Sequence, residues 1–183
     1  PTESIRPMNL RSGTSRGENV RAVLVRAGLW SLLAFGSNLV WEIAQVRLYT
    51  LWADEEGLTI IWALFHCSVG DVVIAGAMYA VAGIALQSAD WPTSRPWTGG
   101  AIVVIGATAF TAWSEWYNVY RAGNWAYAAS MPLILGIGLS PLLQWIILPA
   151  AMVAAVRALD PVLFGARAPR EPLPAHGRTK GPT

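Results

Sequence analysis

Four long apolar stretches divide the chain and are separated by short polar segments. They cover residues 27–46, 58–86, 101–120 and 131–156. At about 1.5 Å per residue of α-helix, each stretch is long enough to cross a hydrocarbon core of about 30 Å. Because the connections are short, consecutive helices are expected to pack as antiparallel neighbours. The pattern predicts an all-α integral membrane bundle of four transmembrane helices.

Both ends of the chain lack this apolar pattern. Residues 1–20 are rich in Gly, Ser and Arg, and residues 160–183 are rich in Pro, Gly and Arg. Such segments bury too little apolar surface to offset the entropy of folding. We therefore expect a flexible cytoplasmic tail at each end of a transmembrane domain that spans residues 21–159.

The composition supports a membrane protein. Only 13% of the 183 residues are charged, 54% are hydrophobic, and the mean hydropathy is +0.42. A soluble domain usually carries about 25% charged residues. The single cysteine, Cys67, excludes a disulfide framework and any CxxC motif. These figures argue against a freely soluble globular protein.

The positions of the basic residues predict the orientation in the membrane. Ten of the 13 Lys and Arg lie near the two termini: Arg6, Arg11, Arg16, Arg21, Arg26, Arg157, Arg167, Arg170, Arg178 and Lys180. Cytoplasmic segments carry the excess of Lys and Arg, so both termini are expected in the cytoplasm, with the protein in the cell (inner) membrane. Nucleic-acid binding requires a basic face on a folded domain. Two tails do not provide one, and no nucleic-acid partner is expected.

Topology does not explain four ionisable residues inside the predicted spans. They are Glu42, His66, Asp71 and Glu115. A charged side chain at the centre of a membrane helix costs about 2.5–3.5 kcal/mol. Counted from the outer end of each span, Glu42, His66 and Glu115 lie about 6, 10 and 9 Å deep, and Asp71 about 18 Å. We predict an outward-opening polar site with these four as candidate catalytic residues, and Gln144 as a partner of Asp71 at similar depth.

Amide and aromatic side chains near the same layer are candidate substrate-binding residues. Tryptophan is more frequent in the outer half than an aromatic belt at both interfaces requires. Amide side chains lie about one helical turn from the acids. The candidates are Asn38, Trp41, Trp62, Trp113, Trp116, Asn118 and Gln144.

These side chains suggest an embedded enzyme. Two carboxylic acids and an imidazole in a partly apolar pocket can donate and accept protons. Tryptophan faces can stabilise a cationic intermediate. Isomerisation or cyclisation of an apolar small-molecule substrate, isoprenoid-like or quinone-like, would use these groups.

Three alternatives remain open. Glu42, His66 and Glu115 are ligand types that suit a single divalent metal ion. Asp71 near the midplane, with the acids above it, also suits proton- or ion-coupled transport by a homo-oligomer. An accessory subunit of a larger membrane complex, surrounded by membrane lipid, would use the polar residues for interhelical contacts. The P-loop, GxGxxG, GxSxG and HExxH motifs are absent from the sequence.

Overall fold

The computed structural model describes residues 11–165, and the side chains of residues 20–165. This part of the chain is mostly helical, as predicted. A 3₁₀ turn at Val46–Leu48 extends the first helix, and a π-helical turn at Asn118–Ala122 extends the fifth. The α-helices are α1 (Arg11–Gln45), α2 (Leu51–Asp54), α3 (Gly57–Ala85), α4 (Trp91–Ser94), α5 (Pro96–Tyr117) and α6 (Leu139–Phe164).

Three helical segments are long and apolar enough to cross a membrane. They are Val20–Leu48, Gly57–Ala85 and Leu139–Phe164. They correspond to the first, second and fourth predicted spans, and a membrane-embedded helical bundle is therefore supported. The third predicted span, 101–120, overlaps α5, which is not one of these three segments. Helix α5 contacts both α3 and α6.

The helix ends differ from the sequence expectation at two places. Helix α1 already begins at Arg11, so residues 11–20 of the predicted N-terminal tail are helical. Helix α6 begins at Leu139 instead of residue 131 and continues to Phe164, past the expected end at 156 and past the expected domain end at 159. The rest of the predicted tails, residues 1–10 and 166–183, lies outside the described residues.

A β-hairpin replaces the expected start of the fourth span. Strands β1 (Leu133–Ile134) and β2 (Ile137–Gly138) pair antiparallel, with Ile134 opposite Ile137. The two residues at its tip, Leu135 and Gly136, have φ values of 50° and 83°. Positive φ at both central positions is the signature of a type I′ turn. Apolar composition alone does not distinguish such a hairpin from a buried helix segment, which is why the sequence predicts too early a start for this helix.

One half of the bundle is filled by a packed aromatic core. The rings of Trp30, Tyr79 and Trp91 lie 5.4–5.5 Å apart. The indole nitrogens donate to backbone carbonyls at 3.1 Å, Trp30 to Ala75 and Trp91 to Tyr79. Both buried N–H groups are thus satisfied. We call this region, with the buried residues Val103, Ala107, Met152 and Val156 around it, the packed half.

An ion pair joins α1 to α6 in the packed half. Arg26 Nε lies 2.6 Å from Asp160 Oδ1, and the two side chains are only 5% and 13% exposed. The Arg26 guanidinium also lies 4.6 Å from the centre of the Phe164 ring. The pair connects the first helix to the last at the end where both termini of the bundle lie.

Candidate functional site

A cavity of about 480 Å³ occupies the other half of the bundle. Its walls come from the C-terminal parts of α1 and α5, the N-terminal parts of α3 and α6, and the segments that follow α1 and α5. Small-molecule sites in proteins typically measure about 300–1,000 Å³. The cavity therefore has the size of a binding site for a small molecule.

The four predicted catalytic residues all line this cavity. Glu42 comes from α1, His66 and Asp71 from α3, and Glu115 from α5. Asn118 and Gln144 line it as well. The structure thus brings together ionisable residues that are far apart in the sequence.

Gln144 of α6 connects three helices at the cavity wall. Its side chain is 2% exposed. Its Nε2 donates hydrogen bonds to Asn38 Oδ1 at 2.7 Å and to Asp71 Oδ2 at 3.0 Å. Its Oε1 accepts a hydrogen bond from Gln45 Nε2 at 3.3 Å. The predicted contact between Asp71 and Gln144 is confirmed, and Asn38 contributes by orienting this amide.

Gln45 holds the Glu42 carboxyl group from one helical turn away. Gln45 Nε2 donates to Glu42 Oε1 at 2.9 Å. Gln45 Oε1 accepts from Ser140 Oγ at 2.8 Å and from Trp41 Nε1 at 3.2 Å. Gln45 therefore sets the orientation of Glu42, and Ser140 of α6 holds Gln45 in place.

Two tyrosines hold Glu115, which is 7% exposed. Its Oε2 accepts hydrogen bonds from the Tyr127 hydroxyl at 2.7 Å and from the Tyr49 hydroxyl at 3.4 Å. The two tyrosines also pair through an isolated β-bridge. Burial raises the pKa of both phenols above the usual range, and the adjacent Glu115 raises it further. Both phenols are thus protonated donors at neutral pH.

All three carboxyl groups accept hydrogen bonds from the protein. The acceptors include Oε1 of Glu42, Oδ2 of Asp71 and Oε2 of Glu115. All three residues also line the cavity, where their carboxyl groups can exchange a proton with a bound molecule.

No protein-family model, curated protein or solved structure matches this chain.

His66 differs from the three acids. It lies on an exposed part of α3, and its ring centre is 6.1 Å from that of Trp62. Its imidazole makes no hydrogen bond to any residue that the structure describes. In the same part of the chain, no group of three or more His, Cys, Asp and Glu side chains is arranged to hold a metal ion. The alternative of a metal bound by Glu42, His66 and Glu115 is therefore not supported by the geometry.

The predicted tryptophans do not line the cavity. Trp62, Trp113 and Trp116 are 64%, 55% and 41% exposed on the outside of the bundle. Trp41 borders a separate, smaller pocket beside Gln45. Exposure on an apolar bundle is typical of tryptophans that anchor a protein at the membrane interface. Trp125 and Trp145 line the cavity instead.

Several residues of the site could not be assigned from the sequence. Gln45 has a signal, since it lies three residues after Glu42 and thus on the same helix face. Tyr127 and Trp125 lie in the loop after α5, where no periodicity indicates which way a side chain points. The buried Trp125 indole nitrogen lies close to the Glu115 carboxyl group.

Proposed function

We propose that this protein is a membrane-embedded enzyme that performs acid–base chemistry on a lipid-soluble substrate, isoprenoid-like or quinone-like. One observation carries the proposal. Three carboxyl groups from three different helices line a single cavity together with an imidazole. General acid–base catalysis requires such groups at fixed positions around the substrate and contributes about 10²–10⁴-fold to a rate.

The surroundings of the acids support a division of roles. Two phenols hold Glu115 at one oxygen, and Gln144 holds Asp71 at one oxygen. These hydrogen bonds hold the two carboxyl groups at fixed positions beside the cavity. One carboxyl group can deliver a proton to the substrate while another removes a proton elsewhere on it, and no charge leaves the site.

We also propose four transmembrane spans, with antiparallel neighbours and both termini in the cytoplasm of a cell with an inner membrane. Helix α5 has 22 residues, which corresponds to about 33 Å and is long enough to cross. Among the Lys and Arg residues of the described range 11–165, only Arg47 and Arg121 lie at the cavity end of the bundle. The excess of basic residues at the opposite end supports an outward-facing cavity.

The packed half favours an enzyme over a proton or ion pathway. A pathway must continue from the cavity to the opposite end of the bundle. Trp30, Trp91 and Val103 are at most 1% exposed in that half and fill its interior. The interior of the packed half thus offers no continuation from the acids to the opposite end of the bundle.

Solvent deuterium tests this proposal and requires no choice of substrate. The purified protein is placed in nanodiscs made from the total lipid extract of its source cells and incubated in D₂O. Acid–base chemistry at carbon should incorporate deuterium into at least one lipid-soluble compound, detected by mass spectrometry. Glu115→Gln should slow this incorporation by about 10²-fold or more.

Glu55→Gln is the matched control, because Glu55 is an exposed acid in the loop between α2 and α3. It should exchange deuterium at the wild-type rate. If the wild-type protein incorporates no deuterium, or if both variants are impaired equally, the enzyme proposal is wrong. An accessory role in a larger membrane complex would then explain the polar contacts.

A further inference from the structure

The cavity extends around α3 to the outer surface of the bundle. Asp71, Gly70 and His66 all line it. Asp71 and His66 are five residues apart, which corresponds to a rotation of about 140° around the helix axis. Gly70 and His66 are exposed, whereas Asp71 is half-buried. The cavity is therefore not closed by α3 and reaches the side of the bundle.

Residues of both α3 and α5 line the cavity on this side. The two helices pack tightly in the packed half, where a Cβ on Gly106 would overlap the sulfur of Met78. Eight residues further along each helix, about 12 Å towards the cavity end, Gly70 and Ser114 both line the cavity. A Cβ at Gly70 would meet nothing within 4 Å. The cavity therefore extends between the two helices here, and the space beside Gly70 is open.

This opening lies at the level of the bilayer. Gly70 comes 13 residues after the start of α3 at Gly57, about 20 Å along a helix that is apolar enough to span the membrane. Near Ser114 on α5, Phe110 and Trp113 are 44% and 55% exposed. The surroundings of the opening are thus apolar, whereas its interior holds carboxyl groups.

We propose that the ligand enters from the lipid bilayer through this side opening between α3 and α5, and that it is an amphiphile with one polar head group. The head group reaches Asp71 and Glu115, and the apolar chain stays in the bilayer. This inference rests on the proposed function for the existence of a ligand and adds its class and its route.

A photoactivatable hexadecanol that carries a diazirine and an alkyne tests the route. The full-length protein in nanodiscs is irradiated with this probe, and the labelled residues are mapped by mass spectrometry. Labelling at Trp145, which is 2% exposed and lines the cavity, is divided by labelling at Ile84, which is 77% exposed. The wild-type ratio should fall at least fivefold in Gly70→Trp, because the indole fills the opening.

Gly76→Trp is the matched control. Gly76 lies on the same helix and does not line the cavity, and a Cβ added there would also meet nothing within 4 Å. It should keep the wild-type ratio. If Gly70→Trp also keeps that ratio, the side opening is wrong, while the deuterium exchange that tests the enzyme proposal is unaffected.

A second measurement needs no substitution. A diazirine-bearing butanol has the same head group as the hexadecanol probe but no long chain. At equal free concentration, the long probe should label Trp145 of the wild-type protein at least fivefold more. If butanol labels it equally well, or if neither probe labels it, the amphiphile inference is wrong. Gly70→Leu, with a smaller side chain, serves if the tryptophan variant fails to fold.

Discussion

Gln144 donates a 3.0 Å hydrogen bond to Oδ2 of Asp71 and thereby joins α6 to α3 beside the cavity. The same nitrogen donates to Asn38 Oδ1 at 2.7 Å. In a membrane, such contacts contribute to helix association, because lipid chains provide little hydrophobic drive between helices. The Gln144 amide therefore has a structural role and orients a candidate catalytic acid.

Gln144→Leu should destabilise the bundle by about 1–3 kcal/mol. The substitution keeps the approximate shape of the side chain but leaves oxygens of Asn38 and Asp71 without a donor, and a buried acceptor without a partner is costly. Unfolding in detergent, followed by circular dichroism as sodium dodecyl sulfate is added, measures the loss.

The double variant Asp71→Leu, Gln144→Leu separates this contact from general repacking. Removing both partners leaves fewer unsatisfied groups, so the double variant should lose less stability than the two single variants together. A coupling of about 0.5–2 kcal/mol is expected. Strict additivity would contradict a direct interaction.

Asp160→Asn should cost about 3 kcal/mol of stability. Arg26 and Asp160 are 5% and 13% exposed, and breaking a buried ion pair from one side leaves an uncompensated charge. Arg157→Gln is the control because Arg157 lies on the exposed surface of the same helix as Asp160; a change within about 0.5 kcal/mol is expected there. Equal losses in thermal unfolding would contradict the prediction.

Gly99→Ala should destabilise the packed half by about 1–3 kcal/mol. A Cβ at Gly99 would overlap the indole ring of Trp91, which is fully buried, so the ring or the helix must shift. Gly28→Ala should be neutral or stabilising by up to about 1 kcal/mol, because a Cβ there meets nothing within 4 Å and alanine favours the helix. The two unfolding midpoints in the same detergent provide the comparison; similar midpoints would be inconsistent with close Gly99–Trp91 packing.

The free energy of unfolding should decrease as the pH rises above about 10. Burial raises the pKa of Tyr49 and Tyr127 above the usual value of about 10, and the nearby Glu115 carboxyl group raises it further. Below that pH both phenols are protonated in the folded and the unfolded chain. Above it only the unfolded chain releases the protons, which lowers stability by up to about 1.4 kcal/mol per pH unit for each tyrosine.

Unfolding measured between pH 8 and pH 11.5 checks this slope. The variant Tyr49→Phe, Tyr127→Phe should be less stable than the wild type at pH 8, because Glu115 loses its two donors. Its stability should fall less steeply above pH about 10. Identical slopes in the two proteins would show that these phenols do not carry the pH dependence.

The membrane character and most of the helices follow from local sequence. Hydropathy and helix length are properties of consecutive residues, and Gly57–Ala85 differs from the predicted span 58–86 by one residue at each end. The start of α6 does not follow in this way. Residues 133–135 are as apolar as a transmembrane helix, but they belong to a β-hairpin. Its turn is formed by Leu135 and Gly136, which both have positive φ values.

The candidate acids are also identifiable from the sequence, because the cost of an ionisable group in a membrane marks Glu42, Asp71 and Glu115 one by one. Whether they line a common cavity, and which hydrogen-bond partners they have, depends on how four helices are rotated about their axes. It also depends on where the loops place their side chains. Tyr127 reaches Glu115 from a loop twelve residues away in sequence, and Trp62 turns outward despite its similar depth. Depth is a distance along one helix, whereas a site requires distances between helices, and those are set by packing.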